Sequence, residues 1–228
     1  MSGISVEFCG EWWHPEPGGV DFTIGREGDL AIDDNPWLHR HFLSLRRVDD
    51  LWWLLNVGSL LSATVSDRAG YVQAWLAPGA RLPLVFAETV VLFTAGPTSY
   101  EVTVVGGAPL FDTVADERRS TGDATLGPVL LTESQKLLLV ALAEPLLRRD
   151  GTGSSSLLPS VDVAARLGWP LTTFNRKLDN VCDKLDRSGV RGLRGTQGKL
   201  ASNRRARLVE HVVASRLVTS DDLPLLDS

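Results

Sequence analysis

The sequence predicts a chain of two modules, an all-β sandwich followed by a mostly α-helical domain. Three observations predict it. Through the first hundred residues apolar side chains alternate or run in short blocks between Gly, Pro, Asp and Asn clusters. From about residue 132 the apolar spacing changes to the helical period. Charge divides at the same place: residues 1–109 hold 6 Lys/Arg against 13 Asp/Glu, whereas residues 160–210 hold 11 against 5. An acidic half joined to a basic half points to a polyanion partner on the basic side, or to two halves that dock on each other.

The β elements come first. Ile4–Phe8, Val20–Ile24, His41–Leu45, Leu51–Leu55, Tyr71–Leu76, Val90–Phe93 and Tyr100–Val105 are rich in Val, Phe, Trp and Tyr, the residues that suit a pleated, half-buried surface. Pro15–Gly19 and Asp33–Pro36 cannot be central strand and read as turns. Seven or more short strands this closely spaced predict an antiparallel sandwich over residues 1–106. Residues 107–127 are small and polar and read as a linker between independently folding halves.

The helical module occupies 128–228. Thr132-Glu133-Ser134-Gln135 has the capping-box pattern, and the apolar run Leu137–Leu147 follows it. Gly151–Ser156 reads as a Gly/Ser loop. Ser160 is expected to cap a short helix, Val161–Leu167, that Gly168 ends. A third helix runs from near Leu171 to Arg187, with Phe174, Leu178, Val181 and Leu185 on one stripe. Gly189–Leu200, with four glycines, reads as a hairpin, and Asn203–Leu217 as a last helix.

Several function classes are excluded at this level. The apolar runs are far too short to span a bilayer, and Met1–Ser5 shows no basic or apolar leader, so a cytoplasmic protein without membrane contact is expected. Cys9 and Cys182 are expected to be reduced thiols, and Cys182 lies among Asp179, Asp183 and Asp186, which oppose thiolate formation. No nucleophile–base set, phosphate-binding loop or metal box occurs, so neither an enzyme nor a cofactor is expected. His39 and His41 alternate, but no third ligand lies nearby.

Phe22–Val105 resembles a forkhead-associated (FHA) domain, a sandwich that typically binds phosphothreonine peptides. The resemblance rests on ordered motifs: Phe22-Thr23-Ile24-Gly25-Arg26 as the strand ending in Gly-Arg, Asp33-Asp34 and Pro36 leading into His41 as the Ser-x-x-His turn, Asn56-Val57-Gly58-Ser59 as the Asp-x-Gly-Ser segment, and Ala87–Val90 as the late Gly-Asp-x-Ile turn. It implies that Gly25, Arg26, His41 and Ser59 are retained family positions. The remaining phosphopeptide contacts are substituted: Leu38 stands at the Ser position, Leu61 at the Asn of Asn-Gly, and Leu60 just before it. Leucine donates nothing to a phosphate oxygen, and each lost charge-assisted hydrogen bond weakens binding by roughly 1.5–3 kcal/mol. The resemblance therefore implies a degenerate site and a protein partner that does not depend on phosphate.

Ala164–Leu178 resembles a helix-turn-helix, and with the basic glycine hairpin as a wing the half resembles the winged-helix regulators of bacteria. That resemblance implies double-stranded DNA as a partner. Thr172, Thr173, Asn175, Arg176 and Lys177 would open the recognition helix, while Arg191, Arg194, Lys199 and Arg204 would contact phosphates. The same fold also docks proteins. The expected function is a cytosolic transcriptional regulator with a degenerate FHA module; the alternative is an adaptor in which both modules bind proteins. Thr113 and Thr121 in the linker are candidate sites for a Ser/Thr kinase.

Overall fold

The computed structural model describes residues 3–106, 129, 131–148, 154–194 and 201–227. Eleven strands come first: β1 (Ile4–Phe8), β2 (Glu11–Trp13), β3 (Phe22–Gly25), β4 (Leu30–Ala31), β5 (Leu43–Val48), β6 (Leu51–Asn56), β7 (Ala63–Asp67), β8 (Gln73–Leu76), β9 (Arg81–Pro83), β10 (Glu88–Ala95) and β11 (Thr98–Gly106). Then come α1 (Glu133–Leu147), β12 (Ser154–Ser156), α2 (Ser160–Arg166), α3 (Leu171–Arg187), α4 (Ala201–Ala214) and a terminal 3₁₀ helix, Ser220–Leu226.

The strands form two sheets, one ordered β2-β1-β11-β10-β7-β8 with β12 added to β11, the other ordered β4-β3-β5-β6-β9. Their facing sides enclose Ile24, Phe42, Leu45, Leu54, Val65, Val91, Phe93 and Tyr100. β6 has the expected alternation: Trp52, Leu54 and Asn56 are buried, while Leu51, Trp53 and Leu55 are half-buried.

α1 opens as its capping box requires. Thr132 Oγ1 accepts from Gln135 N at 3.3 Å, and Gln135 Oε1 accepts from Thr132 N at 3.1 Å. Ser160 is the first residue of α2 rather than its cap; Pro159 holds the cap position, and the Ser160 hydroxyl accepts from Arg205 at 2.8 Å. The predicted stripe on α3 is buried at all four positions.

The helices pack onto the outer side of the first sheet, and one hydrophobic core crosses between the modules. β10 explains how. Val91 and Phe93 point into the sandwich, whereas Val90 and Leu92 join Leu138, Phe174, Val209 and Val212 among the helices. A strand covered on both faces needs apolar residues at every position, and Val90–Phe93 supplies them. The halves are therefore docked on each other. Ser154–Ser156 tightens the docking. Read from sequence as loop, it pairs antiparallel with Thr98–Tyr100 of β11.

Candidate functional site

Three connections meet at one end of the sandwich: Arg26–Asp29, Ile32–Phe42 and Val57–Ser62. Backbone hydrogen bonds lace them together. Arg26 N donates to His39 O at 2.9 Å, Glu27 N to Arg40 O at 2.8 Å, and Val57 N to Phe42 O at 3.0 Å. Gly25 precedes Arg26 because nothing larger fits: a Cβ there would lie 2.3 Å from Arg40 O. At Gly58 a Cβ would lie 2.8 Å from the His39 ring. Asp29 closes the first loop by accepting from Thr23 N at 2.7 Å and Thr23 Oγ1 at 2.8 Å, and these bonds hold its carboxyl below the usual range.

His39 sits where the three loops join. Its Nε2 accepts from Leu60 N at 3.1 Å and its ring stacks near Phe42. The sequence reading gave the structural histidine to His41, but His41 is exposed, and the loop contact is made by its neighbour two residues earlier. In that frame the residue three before the histidine is Pro36, not Leu38. Leu38 is 2% exposed and belongs to the sandwich core, so it is no surface contact. Neither residue offers a side-chain donor.

The second loop is tied to the β10–β11 hairpin. Asn35 Nδ2 donates to Ala95 O at 3.0 Å and to the Tyr100 hydroxyl at 2.8 Å, and that hydroxyl donates to Asp33 at 2.7 Å. Burial pushes the Tyr100 phenol up to about 12, with Asp33 acting in the same direction. Trp37 lies over Gly96, where a Cβ would meet the indole at 2.5 Å, and is still 67% exposed.

At the expected phosphopeptide-contact positions the tip therefore presents few side-chain donors. The half-buried Arg26 guanidinium pairs with no described residue. Arg40 pairs with Glu27 at 3.3 Å. Ser59 is exposed, Leu60 is 82% exposed, and Leu61 packs partly on the core while its carbonyl accepts from Asn56 Nδ2 at 2.8 Å. One cation beside apolar surface can seat an anionic or amphipathic peptide segment, but it cannot reproduce a multi-donor phosphate cradle.

In the helical module Gly168 (φ +65°) turns the chain between α2 and α3. Thr172, Asn175 and Arg176 are exposed and Thr173 is half-buried. Lys177 turns inward, donating to Ser134 Oγ at 2.7 Å with its ammonium 5.2 Å from the Trp169 ring centre. Arg204 pairs with Asp179 at 2.7 Å, and Arg194 with Asp183 and Asp186, each at 3.2 Å. Arg191 is exposed. Residues 191–194 form a turn rather than a strand; Lys199 and the rest of the expected wing, like Thr113 and Thr121, lie outside the described residues. Among the described residues no three potential metal ligands gather, and no helix is long and apolar enough to cross a membrane.

Sequence reasoning missed the junction between the modules. Arg207 on α4 reaches the Thr64 hydroxyl of β7, lies 3.4 Å from the Glu210 carboxylate, and stands over the Trp75 ring of β8. Burial raises the Glu210 carboxyl and lowers the Arg207 guanidinium. Burial, with Arg207 adding to it, pulls His211 down to about 4. No sequence signal marks this junction, because Thr64 lies 143 positions from Arg207 and 146 from Glu210.

No protein-family model and no curated protein matches this chain. Among solved structures it is similar to the crystal structure of the FHA-1 domain of Mycobacterium tuberculosis Rv1747, with 18% identity over 46% of this chain and 97% of that one, at a TM-score of 0.36. It is also similar to the solution structure of the FHA domain of an Arabidopsis thaliana hypothetical protein, with 14% identity over 50% of this chain and 91% of that one, at a TM-score of 0.35.

Proposed function

We propose that the protein is a non-enzymatic signalling module of FHA type whose sandwich tip docks a protein partner without needing a phosphate. The observation that carries this reading is the Arg26 guanidinium, which pairs with no described residue, on the same three-loop tip as exposed Leu60, with no second side-chain donor at the expected contact positions. Phosphate recognition relies on several charge-assisted hydrogen bonds, each contributing roughly 1.5–3 kcal/mol. A single arginine leaves an ordinary charged anchor and lets apolar contacts decide the partner.

The test is titration of the full chain against matched libraries of phosphothreonine and unphosphorylated peptides. Selection from the unphosphorylated library that is lost with Leu60→Asp is expected. A micromolar, phosphate-dependent affinity abolished by Arg26→Ala would overturn the reading and make the tip a phospho-dependent switch.

A second reading gives the helical module double-stranded DNA, as a transcriptional regulator would require. Its support is the N-terminal end of α3, whose first turn contains no acidic residue and which exposes Thr172, Asn175 and Arg176. Against it stand the arginine–aspartate pairs that neutralise Arg194 and Arg204. A Ser/Thr kinase acting on Thr113 or Thr121 belongs to the same regulatory reading. Mixed genomic fragments at low salt decide the DNA question: absence of any shift leaves the adaptor reading, with both modules docking proteins.

A further inference from the structure

Where β8 meets the end of α3 and the side of α4, a cleft of about 410 Å³ opens to solvent. Both modules build it. Gln73 and Trp75 come from β8, Ser188 and Arg191 from the turn after α3, and Arg207 and His211 from α4. The volume falls within the range of small-molecule sites, about 300–1,000 Å³. Among the described residues no aspartate or glutamate lines the cleft, although the chain carries 28 acidic residues against 23 Lys/Arg. Its character is therefore cationic in an acidic protein.

Three features narrow what it can hold. Trp75 is 43% exposed; Arg207 covers one side of its ring, and the exposed part of the indole is apolar surface at the cleft wall. The Arg207 guanidinium stands 5.5 Å from the centre of that ring, and its side chain is only 13% exposed, so its charge acts where water is scarce. The Arg191 side chain is exposed at the mouth, its carbonyl accepting from Arg207 Nε at 3.3 Å, which brings the two arginines together. Glu210 pairs with Arg207 at 3.4 Å, but it is buried and does not line the cleft. His211 is held neutral by burial and by Arg207, and contributes hydrogen-bonding capacity rather than charge. A ring needs one flat face, and a doubly charged phosphate suits two guanidiniums better than a single carboxylate does.

We infer that this junction cleft binds a base-plus-phosphate unit, the ring against Trp75 and the phosphate between Arg191 and Arg207. The unit is a free mononucleotide or one nucleotide of a single strand. Because each module supplies part of the wall, the bound unit bridges sandwich and helices. The inference is independent of what the sandwich tip docks.

Calorimetric titration of the full chain with adenosine and guanosine monophosphates, inorganic phosphate and a short single-stranded oligonucleotide tests it. At least one mononucleotide is expected to saturate the protein with at least about tenfold higher affinity than phosphate, the preference that stacking one base on an aromatic ring gives. Trp75→Leu should erase that preference, and Arg191→Glu should abolish binding altogether. Saturable binding of the oligonucleotide alone, with the same dependence on Trp75 and Arg191, would assign the unit to a strand. No saturable binding of mononucleotide or oligonucleotide at millimolar concentration, or binding that neither variant weakens, would overturn the inference. Arg191 is exposed, so its variant decides the matter even if Trp75→Leu disturbs the Arg207 packing.

Discussion

The sandwich tip and the exposed side of α3 use arginine in opposite ways. The tip belongs to the acidic half, yet Arg26 pairs with no described residue there. The α3 side belongs to the basic half, yet Arg194 and Arg204 are bound to Asp183, Asp186 and Asp179. Segment charge therefore misleads in both directions. What a surface can offer a partner depends on which charges remain unpaired after folding, and pairs such as Arg204 with Asp179 join residues 25 positions apart. The junction is a third case, where an arginine is paired and buried as well.

Burial makes the junction the place where a substitution costs most. Arg207→Met would leave the buried Glu210 without its counter-charge, which typically destabilises by about 3–5 kcal/mol. A urea denaturation curve should register that loss, and Glu210→Leu in the same chain should restore much of it. A cost near that of an exposed pair would show that the junction does not hold the modules together. His211 gives the next largest effect. Its pKa of about 4 in the folded protein lies below the ordinary 6.5, so the unfolded chain binds this proton first as pH falls. Stability should then decline between about pH 7 and pH 4, by up to about 3 kcal/mol. Glu210, raised by burial, tilts the other way, because the folded state takes its proton more readily. The difference between wild type and His211→Gln isolates the histidine, and equal slopes would refute its role.

How legible these regions were in the sequence follows from the same distinction between local and distant partners. β1 and β6 could be read because one face meets the core and the other does not, which produces alternation. β7, Ala-Thr-Val-Ser-Asp, could not. The sandwich covers one of its faces and α4 the other, so Thr64 and Ser66 are buried polar residues and no period appears. β12 is three serines whose only strand character is pairing with β11. At the tip, Gly25, Arg26 and Gly58 were legible because close backbone approach demands glycine at two of them. His39 was confused with His41 because an irregular loop gives no register by which to tell two nearby histidines apart.

That correction supplies the third test of the comparison. With His39 as the reference, restoring donors requires Pro36→Ser and Leu61→Asn together. The double variant should gain phosphothreonine affinity of about tenfold or more, since each new charge-assisted bond contributes roughly 1.5–3 kcal/mol, and Arg26→Ala should remove the gain. Pulldown or calorimetry against the phosphothreonine library measures it. An unchanged affinity would mean that the tip lacks a phosphate-binding geometry and not merely donors.

The smallest stability effect tests the other side of the comparison. Arg204 and Asp179 are both partly exposed, and exposed ion pairs typically contribute 0–1 kcal/mol, so Asp179→Asn should move the denaturation midpoint little. Its effect on polyanion binding should be far larger. The substitution removes one negative charge from α3 and releases the Arg204 guanidinium, which lies on the same helical module as exposed Arg176 and Arg191. If DNA binds this side, Arg204 should then reach a phosphate. The logarithmic salt dependence of binding should steepen by about one unit, the contribution of one neutralised phosphate, and affinity at low salt should rise for all sequences alike. An increase confined to one sequence would instead place Arg204 near base edges. If wild type and variant both fail to shift mixed duplex fragments at low salt, pairing of the arginines is not what limits this surface. The exposed first turn of α3 is then a protein contact.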